Sequence, residues 1–217
     1  MPNIFDTPNN KPEANPNRAK HSKHALRKMI GKERESLPAP LRCKKARELL
    51  KTIISLPEFK RAHRVAFYWP SKGELDPIPL LKLALKMGKQ CYLPMLHPSK
   101  AKHLLFVEYR IGDKLRLNRY GINEPLLANR SALAPWMLNV IFVPLLGFNK
   151  EGHRLGRGGG YYDKTFAFLK DKVNTLKVSQ PSLIGLAYEF QQLDNLPYDE
   201  WDQLLSGVAT EKRIILF

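Results

Sequence analysis

Apolar positions along the chain gather in two ways, and the two alternate. Short, largely apolar runs at residues 65–69, 90–93, 140–143 and 183–187 have the pattern of strands buried on both faces, and Pro144 closes the third of them. Apolar spacings of three and four predict the helices. Ser22 is placed to cap one that runs to about Ser36, with Leu26, Met29, Ile30 and Leu37 as its apolar stripe. Pro38 opens a second, with Leu41, Ala46, Leu49, Leu50 and Ile53 on its inner face. A third starts with Asp76 as cap and Pro77 in its first turn, and Gly88 stops it. Residues 161–170 carry Tyr162, Phe166 and Leu169 on one side and read as a fourth. Residues 103–110 and 114–117 read as an antiparallel pair, 121–125 as a turn-rich connection, and 204–209 and 213–217 as closing strands. Trp136 is expected in the core. Strands alternating with helices predict an α/β fold with a mixed, mostly parallel sheet.

Composition narrows the class. At 217 residues and 43% hydrophobic, the chain can bury a full core in one domain. Residues 1–17 hold four prolines and five asparagines and read as a disordered leader, leaving 18–217 as the folded domain. No apolar run approaches the ~20 residues of a membrane helix. Cys43 and Cys91 have neither metal-ligand nor disulfide spacing, so a cytoplasmic protein without membrane contact is expected. The six histidines lack ligand spacing, and no Ser/His/Asp or Cys/His constellation supports a hydrolytic nucleophile.

Charge adds a direction. The net charge is +16, and residues 18–64 alone hold fifteen Lys/Arg against four Glu. Such an excess asks for an anionic partner, either nucleic acid or a polyanionic small molecule. Lys23, Arg27 and Arg34 fall within about 40° of one another on a helical wheel, at ~100° per residue, and can face one target.

The richest stretch is Gly152-His-Arg-Leu-Gly-Arg-Gly-Gly-Gly-Tyr-Tyr-Asp163, with five glycines and two arginines in twelve residues. It lies between a predicted strand and a predicted helix, an arrangement that turns backbone N–H groups and a helix start toward phosphate oxygens. Arg154 and Arg157 can add charge-assisted contacts, and Asp163 ends the loop where a phosphate-bound Mg²⁺ can use a carboxylate. No Lys-Ser/Thr pair follows, so this is no Walker A loop, and Tyr161 takes the place of the last glycine of a dinucleotide fingerprint. Two other stretches bear on it. Glu74 sits in a loop at the carboxyl end of the first strand, the edge where open α/β sheets bind ligands. Residues 196–202 supply Asp199, Glu200 and Asp202.

Taken in order, these residues resemble the 5-formyltetrahydrofolate cyclo-ligase family. The resemblance spans most of residues 20–210 and includes Lys23-x-x-x-Arg27, Gly73-Glu74, Gly121-Ile-x-Glu-Pro125, a Val-Pro-x-x-Gly-Phe segment and the long glycine motif. It implies a three-layer α/β/α domain. It implies an ATP site at Lys23, Arg27 and Arg154, Leu155, Gly156, Arg157, Gly158, Gly159, Gly160, Tyr161 and Tyr162. Substrate contacts are implied at Trp69, Glu74, Arg157, Gly158, Gly159, Gly160 and Tyr161, with Arg157 and Tyr161 catalytic and Asp163 and Asp202 linked to Mg²⁺. The implied reaction converts ATP and 5-formyltetrahydrofolate, as monoglutamate or polyglutamate, to ADP, phosphate and 5,10-methenyltetrahydrofolate. A monomer is expected, with no nucleic-acid partner. Two departures stand out: Ser206 replaces a common aspartate, and Gly159 occupies a position that is lysine in some members. A nucleic-acid-binding module, or a nucleotide-binding paralogue that has lost cyclisation, are the alternatives.

Overall fold

A computed structural model describes residues 16–127, 132–169 and 180–217. Its helices are α1 Pro16–Ser36, α2 Ala39–Ile53, α3 Pro57–Arg61, α4 Ile78–Lys86 and α5 Tyr161–Thr165. Its strands are β1 Arg64–Ala66, β2 Gln90–Leu96, β3 Leu104–Tyr109, β4 Leu115–Leu117, β5 Asn123–Pro125, β6 Ala132–Leu133, β7 Val140–Pro144, β8 Gly147–Phe148, β9 Arg154–Leu155, β10 Ser182–Leu186, β11 Gly207–Ala209 and β12 Ile214–Leu216. Of the expected leader, residues 1–15 lie outside the described residues, and 16 and 17 belong to α1. Ser22 is therefore inside the helix and is not its cap. Pro16 suits a first turn, where its missing N–H costs nothing.

Eight strands form one sheet in the order β12-β11-β10-β7-β1-β2-β3-β6. The central five run parallel, and β12, β3 and β6 add antiparallel edges. Side chains alternate across this sheet, so each strand feeds two cores. Val140 and Phe142 join Leu49, Ile53, Phe59 and Leu81 on the face covered by α2, α3 and α4. Ile141 and Val143 join Phe106, Phe166, Leu183 and Val208 on the other. That second face is covered by short pieces. Helix α5 ends at Thr165, whose hydroxyl donates to Tyr161 O (2.7 Å) and accepts from Leu104 N–H (3.0 Å), tying the helix end to β3. A 3-10 turn, Ala167–Leu169, replaces the longer helix expected there, and residue 170 lies outside the described residues.

Four further expectations are corrected. The antiparallel pairing is β3 with β2 and β4 with β5, because β3 carries buried Leu104, Phe106 and Val107 whereas Leu117 on β4 is exposed. Within the turn-rich stretch 121–125, Asn123–Pro125 form β5, anchored by the buried Glu124, whose carboxylate accepts from Leu96 N–H (3.0 Å) and Arg116 Nε (3.0 Å). Trp136 is half exposed and meets Phe168 edge-on, and Met29 leaves the stripe of α1 that buries Ile30. No helix among the described residues is long and apolar enough to cross a membrane. Both thiols are free, and burial pushes Cys91 up to about 12.

The chain leaves β1 to build β2 on one side and returns to place β7 on the other. Loops after β1 and β7 therefore diverge, and a crevice opens at their carboxyl ends. Helix α1 lies against this edge. Arg34, on its last turn, donates to Lys72 O (3.1 Å) after β1 and to Leu145 O (3.2 Å) after β7. Gly73 permits the close approach. Its φ is +69°, and a Cβ there would lie 2.8 Å from the Arg34 carbonyl oxygen, against helix backbone that cannot give way. Gly73→Ala is expected to lower stability by about 1–3 kcal/mol, read by denaturant unfolding. A parental midpoint would show that the loop is not pressed against α1.

Candidate active site

The crevice is a cavity of about 550 Å³. Every site residue named from the sequence lines it: Lys23 and Arg27 from α1, Trp69 and Glu74 after β1, Arg154 through Asp163 along the glycine loop, and Asp202. Several of them are held by protein partners. Arg157 does not hang free among its glycines. Its Nη2 donates to Ser71 O at 2.8 Å and reaches Glu74 Oε1 at 2.9 Å, so the glycine loop is clasped to the loop after β1. Arg154 is largely buried, donating to Gln203 O (2.6 Å) and Asp163 Oδ1 (2.7 Å), and thus ties the loop to the acidic segment. Arg27 Nε donates to Gly156 O at 2.9 Å. Lys23 Nζ donates to Asp199 Oδ2 (2.7 Å) and Asp202 Oδ2 (3.0 Å). The three cations on one face of α1 therefore all reach the cavity wall or the loops that form it.

Electrostatically, the centre is Glu74. Its side chain is 7% exposed, with Arg157 in contact and Arg34 Nη1 4.0 Å from Oε1. Burial raises its ionisation above the ordinary carboxylate range, and Arg157, then Arg34, pull it back; the Ser71 N–H (3.0 Å) also favours the anion. Burial likewise pushes the Tyr162 and Tyr68 hydroxyls upward, with Glu74 adding to each. At Tyr161 burial acts in the same sense but is outweighed. Hydrogen bonds from Tyr120 (2.9 Å) and Arg119 hold that phenol below its usual value.

The two carboxylates that the resemblance links to a metal are each tied to a cation. Asp163 uses Oδ1 for Arg154, and Asp202 uses Oδ2 for Lys23 and the Asp199 N–H. The second oxygen of each has no protein hydrogen bond among the described residues. Two carboxylate oxygens beside the glycine loop are a donor set that fits Mg²⁺, which takes one or two carboxylates and fills its remaining positions with other oxygen ligands and water. No cluster of three or more His, Cys, Asp or Glu ligands occurs among the described residues.

Sequence reasoning missed Arg119, Tyr120 and Trp201. The first two sit at the tip of the β4–β5 hairpin and close on Tyr161, and Glu124 helps dock that hairpin on β2. Ser206, the departure noted above, does not line the cavity; its Oγ accepts from Leu183 N–H at 3.1 Å and supports the start of β10. At Gly159 a Cβ would meet the Tyr161 ring at 3.0 Å, so a larger residue there requires that ring to give slightly.

Comparison with known proteins gives a consistent set of matches. The model of the 5-formyltetrahydrofolate cyclo-ligase family matches residues 19–211. The 5-formyltetrahydrofolate cyclo-ligase of Escherichia coli (strain K12) is 35% identical over 186 residues, which is 86% of this chain and 98% of that protein. The mouse protein of the same name is 28% identical over 195 residues, covering 88% and 94%. An NMR structure of Aquifex aeolicus 5,10-methenyltetrahydrofolate synthetase superposes with a TM-score of 0.74 at 32% identity, over 89% of this chain and 92% of that one.

The clasp between Arg157 and Glu74 has a pH signature. Removing Arg157 takes away the larger of the two cationic effects holding Glu74 down, so its folded-state ionisation moves further up while the unfolded value stays near ~4.3. Below the unfolded value both states are protonated and the lost cation matters little. As pH rises through the interval up to the folded value, the native state retains the extra proton and stability falls. The difference in thermal midpoint between Arg157→Ala and the parent is therefore expected to be small near pH 4 and larger at pH 7.5. Equal differences at both would separate Arg157 from the Glu74 carboxylate.

Proposed function

The chain belongs to the 5-formyltetrahydrofolate cyclo-ligase family, and on that premise we propose that its cavity closes 5-formyltetrahydrofolate to 5,10-methenyltetrahydrofolate with ATP as activating co-substrate. The observation that carries this reading is a single cavity lined by glycines and cations and also by Trp69, Glu74, Pro94 and Leu96. Its size falls within the ~300–1,000 Å³ of ordinary ligand pockets.

A formamide oxygen is a poor leaving group. Its attack on the γ-phosphorus of ATP expels ADP and leaves an imidate-like phosphate ester. Folate nitrogen 10 then adds to the same carbon and loses its proton, and the carbon–oxygen bond breaks to release phosphate and the methenyl ring. No covalent enzyme intermediate is needed. Phosphoryl transfer asks the protein mainly for positioning and for neutralising spread negative charge.

The residues are suited to those tasks. Backbone N–H groups at Gly158, Gly159 and Gly160 can approach phosphate oxygens closely, and the positive φ of Gly158 (+91°) and Gly160 (+70°) turns the backbone there. Arg157 meets Ser71 and Glu74 through Nη2 alone, leaving the rest of its five-donor fork for phosphate. Glu74, flanked by Arg157 and Arg34, is placed to accept from the N–H edge of the pterin while Trp69 flanks the ring. Asp163 and Asp202 would hold Mg²⁺, which would supply further charge neutralisation on the triphosphate. Tyr161 presents a phenol of lowered ionisation toward the reacting groups.

The direct test incubates the protein with ATP, Mg²⁺ and 5-formyltetrahydrofolate and follows the methenyl absorbance; no product would overturn the reading. Arg157→Ala should cost turnover roughly 10²–10³-fold, about 2.7–4 kcal/mol, the loss found for single donors to developing negative charge. Near-parental turnover would remove Arg157 from the transition state. Asp163→Asn should move the Mg²⁺ midpoint upward, because a neutral amide is a poorer ligand for a hard cation. An unchanged midpoint would leave Asp163 as the partner of Arg154 and nothing more.

A further inference from the structure

Trp201 is out of keeping with its surroundings. It lines the cavity yet is 70% exposed, although an indole is among the most favourable groups to bury. No ring packs on it among the described residues, whereas the other cavity aromatics are engaged. Trp69 meets Tyr109 edge-on at 6.5 Å, Tyr120 meets Tyr161 at 5.8 Å, and Tyr162 packs on Phe166 at 5.9 Å.

Looseness of the turn does not explain the exposure, because the turn is pinned on both sides of the indole. Lys23 grips Asp199 (2.7 Å) and Asp202 (3.0 Å). The Asp199 N–H donates to Asp202 Oδ2 (2.9 Å), and the Asp202 N–H donates back to Asp199 O (2.9 Å). Gln203 is tied through its N–H to Asp163 (3.3 Å) and through its carbonyl to Arg154 (2.6 Å). A large aromatic face is thus held in place at low entropic cost, beside the cations and carboxylates of the glycine-loop end.

We propose that Trp201 is the base platform of the nucleotide end, stacking the purine ring of the triphosphate whose phosphates lie along the glycine loop. The proposal rests on ATP being the co-substrate. Phosphates held at the loop leave the base to project toward the rim, and Trp201 is the unengaged ring there. Stacking of this kind is strong and tolerant of base identity, so Trp201 serves retention of the nucleotide and not selection among bases.

Trp201→Ala should raise KM for ATP roughly tenfold, within the range of single base-stacking deletions. KM for 5-formyltetrahydrofolate and inhibition by inorganic tripolyphosphate, which has no base, should stay near parental. Trp201→Phe should recover most of the loss. Binding is read separately by tryptophan fluorescence. ATP should quench the parent and not Trp201→Phe, and tripolyphosphate should quench neither. If ATP quenches through Trp201 but no methenyl product forms, the subsite stands and the proposed reaction falls. An unchanged KM for ATP in Trp201→Ala, equal quenching in parent and Trp201→Phe, or a rise confined to KM for the folate would each overturn the proposal.

Discussion

A guanidinium taken out of water sets the terms for this structure. Arg34 is 2% exposed, and a buried cation is tolerated only when its donors are met and a counter-charge is near. The two carbonyls that meet it belong to the loops leaving β1 and β7, and the nearby carboxylate is Glu74. Burial pulls the ionisation of Arg34 down and Glu74 opposes that pull. The same carboxylate, itself raised by burial, needs a second cation and finds it in Arg157. One chain of compensation therefore runs from a helix at the sheet edge, through the loop after β1, to the glycine loop. It fixes the two walls between which a ligand would lie.

The cationic face of α1 gains meaning in this setting. Lys23, Arg27 and Arg34 hold three separate segments: the acidic turn, the glycine loop, and the paired loops after β1 and β7. Part of the concentrated positive charge in residues 18–64 is thus committed to building the cavity. Basic residues on α2 take no part in lining it.

Legibility followed the range of the forces involved. Strands at β7 and β10 were readable because burial on both faces demands continuous apolar runs, and the glycine loop because five glycines in twelve residues stand out in the sequence. Pairing was not readable. Whether β3 joins β2 or β4 depends on which strand edge has a core beside it, which local periodicity does not encode. The same limit hid the partners of Arg157 and Arg154, which lie 86 and 49 residues away in sequence at Ser71 and Gln203. Residues that line the cavity were named from the glycine motif and the family resemblance, but the partners that neutralise them were not. Trp201 was unreadable for another reason: an exposed indole and a buried one look alike in a sequence.

The central claim is that the Glu74–Arg157 clasp couples the loop after β1 to the glycine loop. It is tested most directly by a double-mutant cycle on 5-formyltetrahydrofolate affinity, using Glu74→Gln, Arg157→Ala and the pair, with ATP absent. Contacting residues in one network couple by about 0.5–3 kcal/mol, and a coupling in that range is the expected result. Strict additivity of the two substitutions would contradict the account.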